Sequence, residues 1–215
     1  LDNWSQGGAY VNNLICGRIA HEKVHQRATP YHLPHSTQVA GYAAIFGGDD
    51  RFYNNVFVGA DPAEHAGTAC YNGYTVSLEE YLERTHRELD DLPLFPDVEQ
   101  PAYINHNMYL NGAVPFDREE VNIVLKEFDP QVEILEEGDD VFLCLKLPME
   151  LEKIRSLIQT SKTLRRVRMA NADFANPDGS AVVLDRDYFG NRRSAGDPIG
   201  PIAAWSPGDN RIKVW

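Results

Sequence analysis

Gly47-Gly-Asp-Asp-Arg-Phe-Tyr-Asn-Asn55 places two acids and a base side by side, in front of a strand-length apolar run. Arg51 can lower the pKa of one neighbouring carboxyl and hold it ionised as a nucleophile, which makes Asp50 or Asp49 a candidate for covalent catalysis. A second carboxyl about 5–5.5 Å away would complete the pair needed to hydrolyse a glycoside with retention. Glu99 is the preferred partner, standing before the third apolar run much as Asp50 stands before the second. Glu22 and Glu64 compete for that role, although each lies in a stretch that reads as loop.

Two further groups carry chemistry. Thr29-Pro-Tyr-His-Leu-Pro-His-Ser-Thr37 presents His32 and His35 on stiffened backbone, with Tyr31 (or Trp4 upstream) as a ring for stacking on a sugar. With Arg51 and Glu22 these residues form the expected substrate-binding set. His21-Glu-Lys-Val-His25 satisfies H-E-x-x-H, a zinc-peptidase pattern when it lies on a helix. The flanking residues make a poor amphipathic helix and Pro30 ends it early, so no metal and no cofactor is expected.

The elements that must position these groups announce themselves by repetition. An Asn, three apolar residues and a Gly recur in Asn13-Leu-Ile-Cys-Gly17, Asn55-Val-Phe-Val-Gly59 and, with one more residue, Asn107-Met-Tyr-Leu-Asn-Gly112. Strand-length apolar runs that return in register predict a stack of parallel β coils, each burying its inner face on its neighbours. Adjacent coils lie about 4.8 Å apart, so acids at neighbouring heights would meet the separation that retention requires. The repeat asparagines are 42 and 52 residues apart. That is more than one coil needs, so insertions must leave the stack. Residues 18–35 read as a long loop and 37–48 as strands with Gly corners. In the second insertion Ser77 and Glu80 form a capping box that opens a helix running through Glu88.

Beyond Pro130 the pattern changes to short alternating strands, at 132–135, 141–147, 164–172, 181–184 and 211–214, with a helix over about 151–161. The fold class expected is therefore mainly β. It comprises the C-terminal coils of a right-handed parallel β-helix over residues 1–128, a flanking antiparallel β-sandwich over 129–215, and one or two short helices.

Composition sets the outer limits. At 215 residues with 43% hydrophobic content, the chain has enough apolar residues for a core, and no run approaches a membrane span. A net charge of −12 disfavours nucleic acid and leaves neutral sugars admissible. Three well-separated cysteines fit no disulfide framework and read as small buried hydrophobes of a reducing, cytoplasmic compartment. The chain begins almost at its first repeat, so an upstream β-helix half, in the same polypeptide or a separate chain, is expected to cover the exposed strand edges. A homo-oligomer is compatible with the same need.

The runs around Asn13 and Asp50, the His-Pro loop 29–37 and Tyr109-Leu-Asn-Gly-Ala-Val-Pro-Phe116 resemble the right-handed parallel β-helix glycosidases, most closely glycoside hydrolase family 120, the β-xylosidases. The resemblance implies an Asp nucleophile at Asp50 or Asp49 and a Glu acid/base, carried over onto Glu99. It implies exo-acting hydrolysis of β-xylosides or short xylo-oligosaccharides, with Gln38 standing where a supporting Glu is expected. The alternatives are a non-catalytic carbohydrate-binding β-solenoid and, further off, the zinc peptidase.

Overall fold

The computed structural model describes residues 6–20, 29–43, 47–60, 66–85 and 100–215. In chain order the elements are β1 (Ala9–Val11), β2 (Leu14–Cys16), β3 (Thr29–His32), β4 (Val39–Ala43), β5 (Asp50–Tyr53), β6 (Val56–Val58), α1 (Leu78–Thr85), β7 (Ala102–Asn105), β8 (Asn107–Leu110) and β9 (Asn122–Leu125). There follow β10 (Glu133–Glu137), β11 (Asp140–Leu147), β12 (Gln159–Thr160), α2 (Ser161–Leu164), β13 (Val183–Leu184) and β14 (Gly208–Lys213). The chain is mainly β with a few short helices.

The three apolar repeats form two parallel ladders. One sheet runs β1-β5-β7 and the other β2-β6-β8-β9. Pairing is in register, with Tyr10 beside Phe52 and Phe52 beside Ile104 in the first sheet, and Ile15, Phe57 and Tyr109 aligned in the second. Each repeat turns from one sheet to the other at a two-residue corner. Its first residue is left-handed, at Asn12, Asn54 and His106, with φ of 59°, 58° and 61°. Asparagine tolerates that conformation better than most residues, and the corner needs it.

The second corner residue is the repeat asparagine, and the three form a continuous ladder. Asn55 Oδ1 accepts from the Asn13 backbone N–H (2.9 Å) and from Asn13 Nδ2 (3.0 Å). Asn107 Oδ1 does the same for Asn55, at 2.9 and 3.0 Å. The series ends on Glu119, whose Oε1 accepts from Asn107 N (3.0 Å) and Nδ2 (2.8 Å), taking the place of a fourth asparagine.

Between the two sheets lies one core, in which Phe52, Phe57, Tyr71, Ile104, Tyr109 and Phe116 are buried. Tyr10 stacks on Phe52 at 4.7 Å and Phe57 on Tyr109 at 5.0 Å, so the rings follow the coil spacing. A second core lies on the far face of β6 and β8, where Val56, Val58, Met108 and Leu110 meet Leu143, Leu145 and Leu147 of β11 and Trp205. Burial of β6 on both faces explains its unbroken Val-Phe-Val, the pattern of a covered parallel strand. Gly59, which closes that run, lies so close to the Asn111 carbonyl that a Cβ would collide with it.

Several elements differ from the sequence expectation. Thr29–His32 is not loop: it pairs antiparallel with β4 as a hairpin. Ser77 Oγ accepts from Glu80 N (3.1 Å), the Ser77 half of the expected box, and Glu80 Oε2 accepts from Val76 N (3.1 Å). Continuation of α1 to Glu88 lies outside the described residues. Instead of a helix over 151–161, a 3₁₀ turn at Met149–Lys153 and the short β12 appear, because Pro148 opens the turn and the chain returns to extended geometry at Ile154. The antiparallel region contains one three-stranded sheet, β10-β11-β14, and the two-residue pair β12-β13. Residues 164–172 form no strand. Their backbone carbonyls at Leu164 and Arg166 bond Arg51 instead of a neighbouring strand.

Candidate active site

Asp50 and Asp49 are adjacent in sequence and separated in space. Strand alternation puts Asp50 on the same side as Phe52, toward the core between the sheets. It is fully buried. Its Oδ1 accepts from the Gly8 backbone N–H (3.0 Å) and its Oδ2 from the Tyr71 hydroxyl (2.8 Å). Both donors fix the plane of the carboxylate. The charge is felt nearby, since Tyr10 and Cys70 are each pushed up first by burial and then by Asp50, Cys70 to about 12. Any side chain on Gly8 would meet the Asp50 carboxylate and the Tyr10 ring, which accounts for the glycine there.

Asp49 faces the other way. Its Oδ1 pairs with Arg51 Nη1 at 2.8 Å, and its Oδ2 accepts from the Arg168 backbone N–H at 2.8 Å. Burial pushes its carboxyl up, and Arg51 together with the Arg168 N–H opposes that. Arg51 therefore acts on Asp49, not on Asp50.

Arg51 itself has no exposed surface. Its Nε donates to Leu164 O (2.7 Å), Nη2 to Arg166 O (3.0 Å) and Nη1 to the Asp49 carbonyl, while its guanidinium lies over the rings of Tyr103 and Phe174. The side chain fastens residues 164–174 across the outer face of β5 and β7.

Among the remaining expected residues, Tyr31, His32 and His35 lie on the β3–β4 hairpin, with His32 and His35 exposed and Tyr31 partly buried beneath Gly41. Gln38 is exposed at the same hairpin. Glu99, Glu22, Glu64, Trp4 and the His21–His25 motif lie outside the described residues. The residue beside Asp50 on the next coil is Ala102. Among the described residues no group of three His, Cys, Asp or Glu side chains is placed to hold a metal ion. No described helix is long and apolar enough to cross a membrane. Cys16 is exposed and Cys70 and Cys144 are half-buried, so the expected burial of all three does not hold. None is in a disulfide.

Two residues that the sequence did not single out matter here. Tyr71 orients Asp50, and only its place in the turn after β6 brings it there. Glu119 is 8% exposed, and burial pushes its carboxyl to about 7 against the bonds from Tyr109 and Asn107. That value would suit a general acid. Both its oxygens, however, belong to the framework, Oε1 to the asparagine ladder and Oε2 to the Tyr109 hydroxyl at 2.5 Å.

No protein-family model matches the chain, and no curated protein matches it. Among solved structures, the complex of XylC with xylose is similar at 53% sequence identity and a TM-score of 0.93. The match covers 100% of this chain and 34% of the XylC chain. The chain is homologous to XylC. It spans about a third of that protein's length, and all of its described architecture falls within the shared part.

Proposed function

We propose that the chain is part of a retaining β-xylosidase acting on β-xylosides or short xylo-oligosaccharides, with its parallel ladders forming the C-terminal coils of a right-handed β-helix. The observation that carries this reading is the similarity of this whole chain to about a third of XylC, whose solved complex holds xylose. The 34% share of XylC that is matched supports a longer protein around this part, and in this reading an upstream portion completes the pocket.

Asp50 is the nucleophile in this reading. Asp49 is the alternative: both aspartates are buried with both oxygens bonded, and Asp49 is in addition paired with the Arg51 guanidinium. The Gly8 N–H and the Tyr71 hydroxyl fix the Asp50 carboxylate plane. Asp50 attacks the anomeric carbon while protonated Glu99 gives its proton to the departing oxygen. Glu99 then removes a proton from the water that releases the glycosyl enzyme. In this reading His32, His35 and the ring of Tyr31 serve as hydrogen-bonding and stacking contacts for the sugar.

A second reading is favoured by one observation. Asp49 and Asp50 are both buried and hydrogen-bonded, as purely structural acids are, and that suits a carbohydrate-binding β-solenoid without turnover. Hydrolysis of an aryl β-xyloside, followed by NMR for the anomer released, separates the two. The catalytic reading expects β-xylose as first product, a loss of about 10²–10⁴ in kcat for Glu99→Gln, and a loss at least as large for Asp50→Asn. Xylose binding that survives Asp50→Asn, with no turnover in the parent, would establish the binding module instead.

A further inference from the structure

The basic residues of this acidic chain are not spread evenly. Residues 161–171 contain Lys162, Arg165, Arg166 and Arg168 and no acid, in a chain of net charge −12. Three of these, Lys162, Arg165 and Arg166, line an open cavity of about 600 Å³ between α2 and the β12–β13 pair. That volume suits a ligand of one or two sugar rings.

Arg166 is already engaged, with Asn171 Oδ1 at 3.0 Å and Asp173 at 3.5 Å. Lys162 and Arg165 form no ion pair among the described residues. Arg165 is also held in an unusual way. Its backbone has φ 63° and ψ 171°, a region essentially reserved for glycine, and such strain persists where the surroundings impose it and clusters at ligand clamps. Its guanidinium lies over the Tyr103 ring at 5.0 Å, so the group is steadied by stacking.

We infer that this cavity binds a sugar acid, its carboxylate received by Lys162 and Arg165. The remaining lining distinguishes that ligand from a simple anion. Val182 and Val183, the latter 52% exposed, give an apolar wall for the C–H face of a ring. Asp173, also in the lining, accepts hydroxyl donors of the kind a sugar ring presents along its edge. A polyanion is disfavoured by the overall charge. That the acid arrives as a uronate side group of a xylo-oligosaccharide rests on the xyloside reading above; the binding of the sugar acid itself does not.

Calorimetric titration tests this with glucuronate, glucose and inorganic phosphate, on the parent, Lys162→Gln and Arg165→Gly. Glucuronate should bind saturably, at least about tenfold more tightly than glucose or phosphate, with about a tenfold loss in each variant. Glycine suits the backbone at position 165, so Arg165→Gly should keep or raise the thermal midpoint while it loses binding. Equal affinity for glucuronate and glucose, or binding unchanged in both variants, overturns the inference. Phosphate binding as tight as glucuronate would overturn its sugar part. Hydrolysis of a neutral aryl xyloside, assayed alongside, should be the same in parent and variants. Its absence in the parent would count against the xyloside reading while the glucuronate titration still decided this one.

Discussion

Asp49, Asp50 and Arg51 show how little a run of charged residues says until side-chain direction is known. The acid–acid–base run was visible in the sequence, but not that Arg51 would turn outward to Asp49 and leave Asp50 to Tyr71 and Gly8. Those partners come from segments 42 and 21 residues away, with no local signal. Arg51→Met should destabilise the fold by about 3–5 kcal/mol, because it strands a buried carboxylate, and Asp49→Asn in the same chain should recover much of the loss. Denaturant unfolding of the single and double variants measures this. A loss unchanged by the second substitution would mean that the carbonyl bonds to Leu164 and Arg166, not the ion pair, dominate.

Glu119 has a consequence of its own at this scale. Its folded pKa of about 7 lies above the ordinary 4.5, so the folded chain holds a proton that the unfolded chain has released. Its contribution is fully present below about pH 4.5, falls as pH rises, and is lost above about pH 7. The change is on the order of 3 kcal/mol. Glu119→Gln keeps an amide oxygen for the ladder and has no titratable proton. Its stability should therefore lack that slope between pH 4.5 and 7, as urea midpoints at a series of pH values would show. A parent and variant with parallel profiles would refute the assignment.

At the scale of elements, the two parallel ladders were legible because the asparagine is needed twice over. It must follow a left-handed corner, and its amide must bond the next coil both at the backbone and at the side chain. The sequence displayed the repeated asparagine without showing that Glu119 would end the series, since a Glu and an Asn share only a carbonyl-like acceptor. Asn55 is the central rung, fully buried, with Oδ1 and Nδ2 both engaged. Asn55→Ala leaves several buried partners unsatisfied and should cost about 2–4 kcal/mol, against about 1–2 for the half-exposed Asn13→Ala. Thermal denaturation of the two variants compares them directly. The hairpin β3–β4 and the short turns near 149–164 were harder to read, because two- to five-residue elements are decided by partners in space, not by their own periodicity.

At the scale of the molecule, strand direction changes after β9 from parallel to antiparallel, close to residue 128. The hydrophobic core does not divide there. Val56, Val58, Met108 and Leu110 from the coils share one cluster with Leu143, Leu145, Leu147 and Trp205 from beyond that point. The four-stranded parallel sheet thus supplies the layer against which β10-β11-β14 packs. Alternating strands after 130 revealed the antiparallel sheet but could not reveal what it covers. Two consequences follow from a shared core. Unfolding should be one transition, with far-UV circular dichroism and Trp fluorescence, to which the buried Trp205 contributes, changing at the same denaturant concentration. Leu145→Ala, about 90 residues from β6 in sequence, should remove about 2–5 kcal/mol from that single transition by opening a cavity between the sheets. If the fluorescence midpoint moved while the dichroism of the parallel ladders kept a separate, unshifted step, the coils would be stable without their antiparallel cover, and the two halves of the chain would be independent units after all.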